Sequence, residues 1–227
     1  RFPWADWLRA DVPLRIEAIS RKSRIYHAGA ITQRIEAAIR DTLGAPIAED
    51  APVTLKVRIE DDLCTLSLDT SGESLHKRGH KQAVGKAPMR ETMAAMFLRQ
   101  CGFDGNEPVL DPMCGSGTFV IEAAEIAAGL APGRLRGFAF QHLPGFDAAA
   151  FDALRTAAAP APALLFHGSD RDPGAIRMSR ENAERAGVAA WTDFQNLAFA
   201  DLSRPEGPPG LVIFNPPYGC LLYTSDA

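Results

Sequence analysis

The sequence predicts an α/β protein in two parts: a parallel-sheet domain over residues 89–219, preceded by a small α+β unit over residues 1–70. Three observations carry this. From Pro108 onward short apolar strands alternate with helical stretches, the pattern that calls for parallel pairing through crossovers. The first part reads instead as strand, helix and hairpin. Charge divides the same way: residues 1–90 hold 15 Lys and Arg against 12 Asp and Glu, a balance of +3, whereas residues 91–227 hold 9 against 16, a balance of −7. A basic part joined to an acidic one suits a chain that meets a polyanion with one and does other work with the second. Two ordinary solvated surfaces would give the same count.

Leu14, Ile16 and Ala18 share one face of a strand that runs into the basic cluster Arg21-Lys22-Ser23-Arg24. Ile31, Ile35, Ala38 and Ile39 recur at helical spacing, and Gly44 with Pro46 marks the stop. Val53, Leu55, Val57 and Ile59 alternate with polar residues, Glu60-Asp61-Asp62 is a polar turn, and Cys64, Leu66 and Leu68 alternate again, which makes a hairpin. Residues 71–88 form a polar, basic linker, or a loop lying over a site. A helix from Met89 to Gln100 closes at Gly102.

In the second part, Pro108 to Asp111 is a short buried strand, followed by the loop Pro112 to Gly117 and an alanine-rich helix from Thr118 to Ala128. Leu164 to Phe166 is the next strand, ending at Gly168-Ser169-Asp170, and Gly174 to Ala186 is helical with Gly187 as its stop. Thr192 to Leu197 and Leu211 to Phe214 complete the strands. The stretch from Ala128 to Leu164 exceeds the roughly 10 to 12 residues a crossover needs, so it holds an insertion.

Composition narrows the class. With 227 residues, 46% hydrophobic and 23% charged, the chain can build a globular core, and a cytoplasmic protein is expected. Its longest apolar runs are a few residues, such as Leu211 to Phe214, against the roughly 20 a membrane helix requires. Four cysteines without C-x-x-C spacing argue against a zinc ribbon or a disulfide framework, and no metal site is expected. The chain opens on Arg1, so a piece of a longer protein is expected.

Parallel sheets bind ligands at the carboxyl ends of their strands, where strand order reverses. The first such end reads Asp111-Pro112-Met113-Cys114-Gly115-Ser116-Gly117-Thr118: two glycines permit close approach of a ligand, and the following helix start offers free N–H groups. The second carries Asp170, placed to accept from a ribose diol, although an acid there equally serves as a cap. No G-x-x-x-x-G-K-[ST] occurs, and the glycine loop has no basic residue, which disfavours a triphosphate. A third end is Asn215-Pro216-Pro217-Tyr218. The prolines fix a stiff turn, so the Asn215 side-chain oxygen and the Pro216 carbonyl form two adjacent acceptors for a planar exocyclic amine, with the Tyr218 ring available for stacking a flat base.

These motifs resemble the class I S-adenosylmethionine-dependent methyltransferases that modify amino groups, whose catalytic domain is Rossmann-like: DPMCGSGT resembles motif I and NPPY motif IV. The resemblance implies that Asp111, Gly115 and Gly117, with Met113, Cys114 and Thr118, shape the methionine end of an S-adenosyl-L-methionine pocket. It also implies that Asp170 holds the ribose hydroxyls, that Asp201 contacts the adenine amine, and that Asn215, Pro216, Pro217 and Tyr218 form the catalytic motif. NPPY alone leaves the substrate open between nucleic-acid amines and protein glutamine. Residues 75–98 and the insertion 130–147 are similar to the bacterial large-subunit ribosomal RNA guanine-N2 methyltransferase family. Residues 1–70 resemble most of a THUMP domain, a small RNA-binding unit. His80 stands where that family would carry an aromatic residue.

The family resemblance thus implies methyl transfer to the N2 amine of a ribosomal RNA guanine, with tRNA guanine, adenine N6 or a non-catalytic RNA-binding role as alternatives. Arg21, Lys22, Arg24, Lys77 and Arg78 are the expected phosphate contacts, as against plain solvation. Residues 220–227 resemble no continuation of the family and are expected to be a non-native tail. A class I domain has about three further strands after its motif IV, so residues 1–227 alone are expected to be inactive.

Overall fold

The computed structural model describes residues 2–82, 89–156 and 161–216. They form two compact units, one from residues up to 74 together with 137–152, the other from 75–136 together with 153 onward.

In the first unit, β1 (Leu14–Arg21), α1 (Ala28–Thr42), β2 (Val53–Glu60) and β3 (Leu63–Leu68) build a sheet in the order β1-β2-β3. β1 and β2 are parallel, from Leu14 opposite Val53 to Arg21 opposite Glu60, as their joining helix requires. β2 and β3 are antiparallel, turning at Asp61 and Asp62, both in the left-handed region at φ 49° and 64°. That conformation suits Asp better than most residues, which is why the polar turn marks the hairpin. The inward residues Leu14, Ile16, Val53, Leu55, Val57 and Ile59 pack against Ile31 and Ile39 of α1. His27 starts that helix by accepting the Ala30 N–H on its Nδ1 at 3.2 Å.

Residues 137–152 fall within the span that the sequence assigns to the second domain, yet they cluster with the first unit. The reason is aromatic. Phe138 stacks on Phe140 at 5.2 Å, Phe151 meets Phe140 edge-on at 5.3 Å, and Phe146 adds to the group. Leu143 packs on the β-sheet core, and the Phe140 N–H donates to the Thr70 carbonyl at 3.0 Å. α4 (Ala148–Arg155), which the sequence reading left without an element, completes this insertion.

The second unit is a parallel sheet in the order β6-β5-β4-β7, from β4 (Val109–Asp111), β5 (Phe166–Asp170), β6 (Thr192–Asn196) and β7 (Leu211–Val212). Among the described residues, α2 (Glu91–Gln100), α3 (Thr118–Ala127) and α5 (Pro173–Ala186) accompany it. α3 is buried on nearly every side, in keeping with its apolar, alanine-rich composition. Its neighbours in the core include Leu98, Val109, Phe166, Ile176 and Phe194. α5 has the expected punctuation: the Asp172 side chain accepts the Gly174 N–H at 2.8 Å, Pro173 opens the first turn, and Gly187 closes it at φ 72°.

β5 runs through His167-Gly168-Ser169-Asp170, two to four residues later than the apolar run suggests. Gly168 permits this, since a Cβ there would lie 2.8 Å from the Phe194 ring of β6. β7 is shorter than expected, although the Ile213 N–H still donates to the Leu110 carbonyl at 3.0 Å. Among the described residues no helix is long and apolar enough to cross a membrane.

Candidate functional site

Strand order reverses between β4 and β7. The chain steps from β4 outward to β5 and β6, then returns to the other side of β4. The carboxyl ends of β4 and β7 are therefore neighbours, with Val109 opposite Leu211 and Leu110 opposite Val212. Extending that register places Asp111 level with Ile213, so the glycine loop and Asn215 leave the sheet side by side. This is the crevice in which open parallel sheets bind ligands.

Asp111 ends β4 at 2% exposure, and its Oδ1 accepts the Met113 N–H at 3.0 Å. Burial pushes its carboxyl up to about 7, and the nearby charge of Asp170 adds to this while the Met113 N–H opposes it. The loop turns on Gly115 and Gly117, at φ 53° and 82°, a conformation that costs glycine little. A Cβ on Gly117 would also lie 3.0 Å from the Phe194 ring. No side chain caps α3 at Gly117, so its first N–H groups stay available at the loop.

The loop is braced from three directions. Asp170, at the end of β5, accepts the Gly115 N–H on Oδ2 at 3.0 Å and the Asp172 N–H on Oδ1 at 2.9 Å. From α5, Ser179 donates to the Gly115 carbonyl at 2.7 Å and Asn182 to the Ser116 carbonyl at 3.1 Å. Lys81 donates to Thr118 Oγ1 at 2.8 Å and to the Met89 carbonyl at 2.6 Å, and burial lowers its pKa. Sequence reasoning missed Ser179, Asn182 and Lys81. The available signal for the first two was a pair of small polar residues three apart on the inward face of α5.

Of the other expected cofactor residues, Met113 and Cys114 lie in the loop. Cys114 is buried, its N–H donates to the Ser169 carbonyl at 2.9 Å, and burial pushes its thiol far up. Asp201 sits exposed in a short turn after β6. Asn215 is half-buried and Pro216 exposed at the end of β7, while Pro217 and Tyr218 lie outside the described residues.

Arg78 requires a correction. It was expected to meet phosphates, but it is 9% exposed and donates from Nε and Nη2 to the two oxygens of Glu122, at 2.9 and 3.1 Å. Burial, with Glu125 next, pushes the Glu122 carboxyl up to about 7, and the Arg78 charge and hydrogen bond oppose that rise. A second pair lies alongside, with Arg134 Nη2 2.7 Å from Glu125 Oε1. These arginines hold flanking segments onto an α3 that buries two glutamates. His80, 2% exposed, lies in the same cluster, and its pKa falls to about 4 through burial and then the positive charges of Arg134, Lys81, Arg78 and Arg185. Arg21, Lys22, Arg24 and Lys77 are exposed, and Arg24 pairs with Asp62 at 2.9 Å. Among the described residues no group of His, Cys, Asp and Glu is arranged to hold a metal.

Asp111 and Asp170 end the adjacent strands β4 and β5, Asp201 lies in the turn that follows β6, and the start of α3 supplies donors. The set suits a ligand that carries an amino acid, a diol and an aromatic amine. The chain is 38% identical over 183 residues to the ribosomal RNA large subunit methyltransferase K/L of Vibrio campbellii, an alignment that covers 76% of this chain and 26% of that protein. A solved structure described as a predicted N6-adenine-specific DNA methylase of Listeria monocytogenes superposes with a TM-score of 0.78 at 32% identity, over 96% of this chain and 60% of that one. A solved structure described as SMU.472, a putative methyltransferase complexed with SAH, superposes with a TM-score of 0.79 at 30% identity, over 98% of this chain and 62% of that one. The chain thus spans only part of the relatives it matches. Residues 78–227 match the family described as UPF0020, RMKL-like, methyltransferase domain, and on that match, with the Rossmann-like sheet and its motifs, the chain belongs to the RMKL-like methyltransferase family.

Proposed function

We propose that this chain is part of an enzyme that transfers the methyl group of S-adenosyl-L-methionine to the exocyclic N2 amine of a guanine in large-subunit ribosomal RNA. The observation that carries this is the juxtaposition of the glycine loop after β4 with Asn215 after β7, across the reversal of strand order. The methyltransferase K/L relative of Vibrio campbellii supports ribosomal RNA as the substrate class.

The residues fit the cofactor by their chemistry. The Asp111 carboxyl is buried with one N–H partner, which leaves it able to accept from the ammonium of the methionine end. The free N–H groups at the start of α3 face the same loop. Each Asp170 oxygen accepts one backbone N–H, and each retains a second lone pair for a ribose hydroxyl. Asp201 is the acceptor for the adenine amine. When bound, the cofactor supplies an electrophilic methyl group; the chain supplies binding and orientation.

The guanine amine is a weak nucleophile because its lone pair is delocalised into the ring. Hydrogen bonds from it to the Asn215 side-chain oxygen and the Pro216 carbonyl favour a more tetrahedral nitrogen and aim its lone pair. No side chain acts as a strong base, since the alkylated amine is acidic enough to lose its proton to water. A base stacked in a helix cannot reach this crevice, so the target is unpaired or flipped out, with Pro217 and Tyr218 as its platform. Arg21, Lys22, Arg24 and Lys77 take phosphates and set the register, and residues 1–70 act as the RNA-binding part.

The test is product identity. A parent-length protein incubated with labelled cofactor and unmethylated large-subunit RNA should yield N2-methylguanosine on nuclease digestion. N6-methyladenosine, or label in tRNA only, would reassign the substrate.

A further inference from the structure

At one end of the first unit's sheet, β1 finishes at Arg21 and β2 at Glu60, and β3 begins at Leu63, with Arg21 opposite Glu60 and Glu60 opposite Leu63. The loop that leaves β1 here is tied down. Ser20 Oγ donates to the Ile25 carbonyl at 2.5 Å, and Ser23 Oγ donates to the Arg21 carbonyl at 2.7 Å. Across the sheet end, the Asp62 N–H donates to Ser23 Oγ at 3.1 Å, and Arg24 donates to Asp62 from its backbone N–H at 2.8 Å and from Nε at 2.9 Å. Five hydrogen bonds therefore fix residues 20–25 before any ligand arrives.

Such a loop could tuck its apolar side chains inward, yet it presents them outward. Tyr26 is 82% exposed and Ile25 57%, and the same sheet end shows Ile19 at 52% and Leu63 at 71%. A single exposed apolar residue means little, but Tyr26 and Ile25 beside a braced loop, with Ile19 and Leu63 at the same sheet end, make four exposed apolar residues in one region. Its charge points to the occupant. Two of the three nearby carboxylates are neutralised, Asp62 by Arg24 and Glu60 by Arg58, leaving Asp61. Arg21 and Lys22 have no ion-pair partner among the described residues, and Lys22 stands at the loop tip at φ 46°. Exposed cations beside an exposed flat ring match an unpaired nucleic-acid strand, which offers both phosphates and a free base face; a paired helix offers no free face.

We propose that Tyr26 is a stacking platform for an unpaired RNA base, with Arg21 and Lys22 taking the flanking phosphates. This rests on the reading of the chain as part of an RNA-modifying enzyme. It adds an aromatic contact where the sequence offered only cations.

The test uses the 227-residue chain, with fluorescence anisotropy on decaadenylate and on an abasic strand of equal length. Tyr26→Ala should weaken decaadenylate about tenfold, within the range for loss of one stacked base, and leave the abasic strand unchanged. Tyr26→Phe should bind as the original does. Lys22→Gln should flatten the slope of log affinity against log salt by about 0.7, one single-strand phosphate. Tyr26 is too exposed for its loss to threaten folding, and an unchanged thermal melt will verify this. Equal affinity of Tyr26→Ala and the original for decaadenylate would overturn the proposal and leave the patch to a protein partner, as would equal losses on both strands. Calorimetric titration of a parent-length protein with S-adenosylmethionine separates the two readings: no cofactor heat alongside an intact Tyr26 effect would remove the cofactor-pocket assignment and leave the platform standing.

Discussion

The Gly115 N–H donates to Asp170 Oδ2 at 3.0 Å, so the acid that ends β5 holds the loop that follows β4. Its other oxygen accepts the Asp172 N–H at 2.9 Å, and both oxygens are thereby committed as acceptors. Asp170→Asn cannot reproduce this, because an amide has only one acceptor atom. Asp170→Ala and Asp111→Ala should each weaken S-adenosylmethionine by at least about 1 kcal/mol, the scale of a lost hydrogen bond to a charged group. Asp170→Asn should also lower the melting temperature of the free protein. Calorimetry and a thermal melt on each variant check both, and unchanged cofactor affinity in both alanine variants would remove the pocket assignment.

This relationship also marks where sequence reading stops. Three strands were legible because each lies in or just after a short apolar run that leads to a chemically distinct residue: Asp111, Asp170 and Asn215 each follow from their own segment. The double use of Asp170 was not, since it depends on where β5 carries it beside a loop 55 residues earlier. Arg78 shows the converse. Within a basic run it reads as a phosphate contact or a solvated cation, and only the burial of Glu122, one of two glutamates on the alanine-rich α3, draws it inward. Residues 137–152 read as part of the second domain for a similar reason, because four phenylalanines spread over fourteen residues show no period and meet only in space.

Asp111 makes the pocket sensitive to pH. Its folded pKa of about 7 lies above the ordinary carboxylate value, so the folded protein keeps the proton that the unfolded chain has already lost. Stability from this group is therefore full below the ordinary value near pH 4, falls as pH rises, and is lost above about 7. Cofactor affinity should run the opposite way, since an ammonium needs the carboxylate, and should gain up to about tenfold per pH unit below 7 before levelling off. Titration calorimetry at a series of pH values, repeated in buffers of different ionisation heat, should detect proton release on binding. Asp111→Asn should abolish both the release and the slope.

The Arg78–Glu122 pair should act on stability and not on RNA. Arg78→Met leaves a buried glutamate without its partner, and urea unfolding should report a loss of about 3 to 5 kcal/mol if Glu122 stays ionised, less where it takes up a proton. Glu122→Leu in the same chain should restore much of this. A stable Arg78→Met variant that loses RNA affinity would return Arg78 to the phosphate contacts.

Gly168→Ala tests the packing that lets β5 run so far. Its Cβ would lie 2.8 Å from the Phe194 ring, and overpacking at that contact should cost about 1 to 3 kcal/mol by denaturant titration. Phe194→Leu should recover part of the loss by making room, and additive losses in the double variant would show that the two residues do not press on each other.

The central claim is that the glycine loop and Asn215 form one methyl-transfer site, with separate tasks for its two sides. The most direct test compares single-turnover methyl transfer with the cofactor dissociation constant in Asn215→Ala of a parent-length protein. Orientation of the amine is lost while the cofactor's own contacts remain, so the rate should fall at least about 100-fold with the dissociation constant within a few-fold of the original. A variant that transfers methyl groups at the original rate would contradict the account and reduce the motif after β7 to a turn.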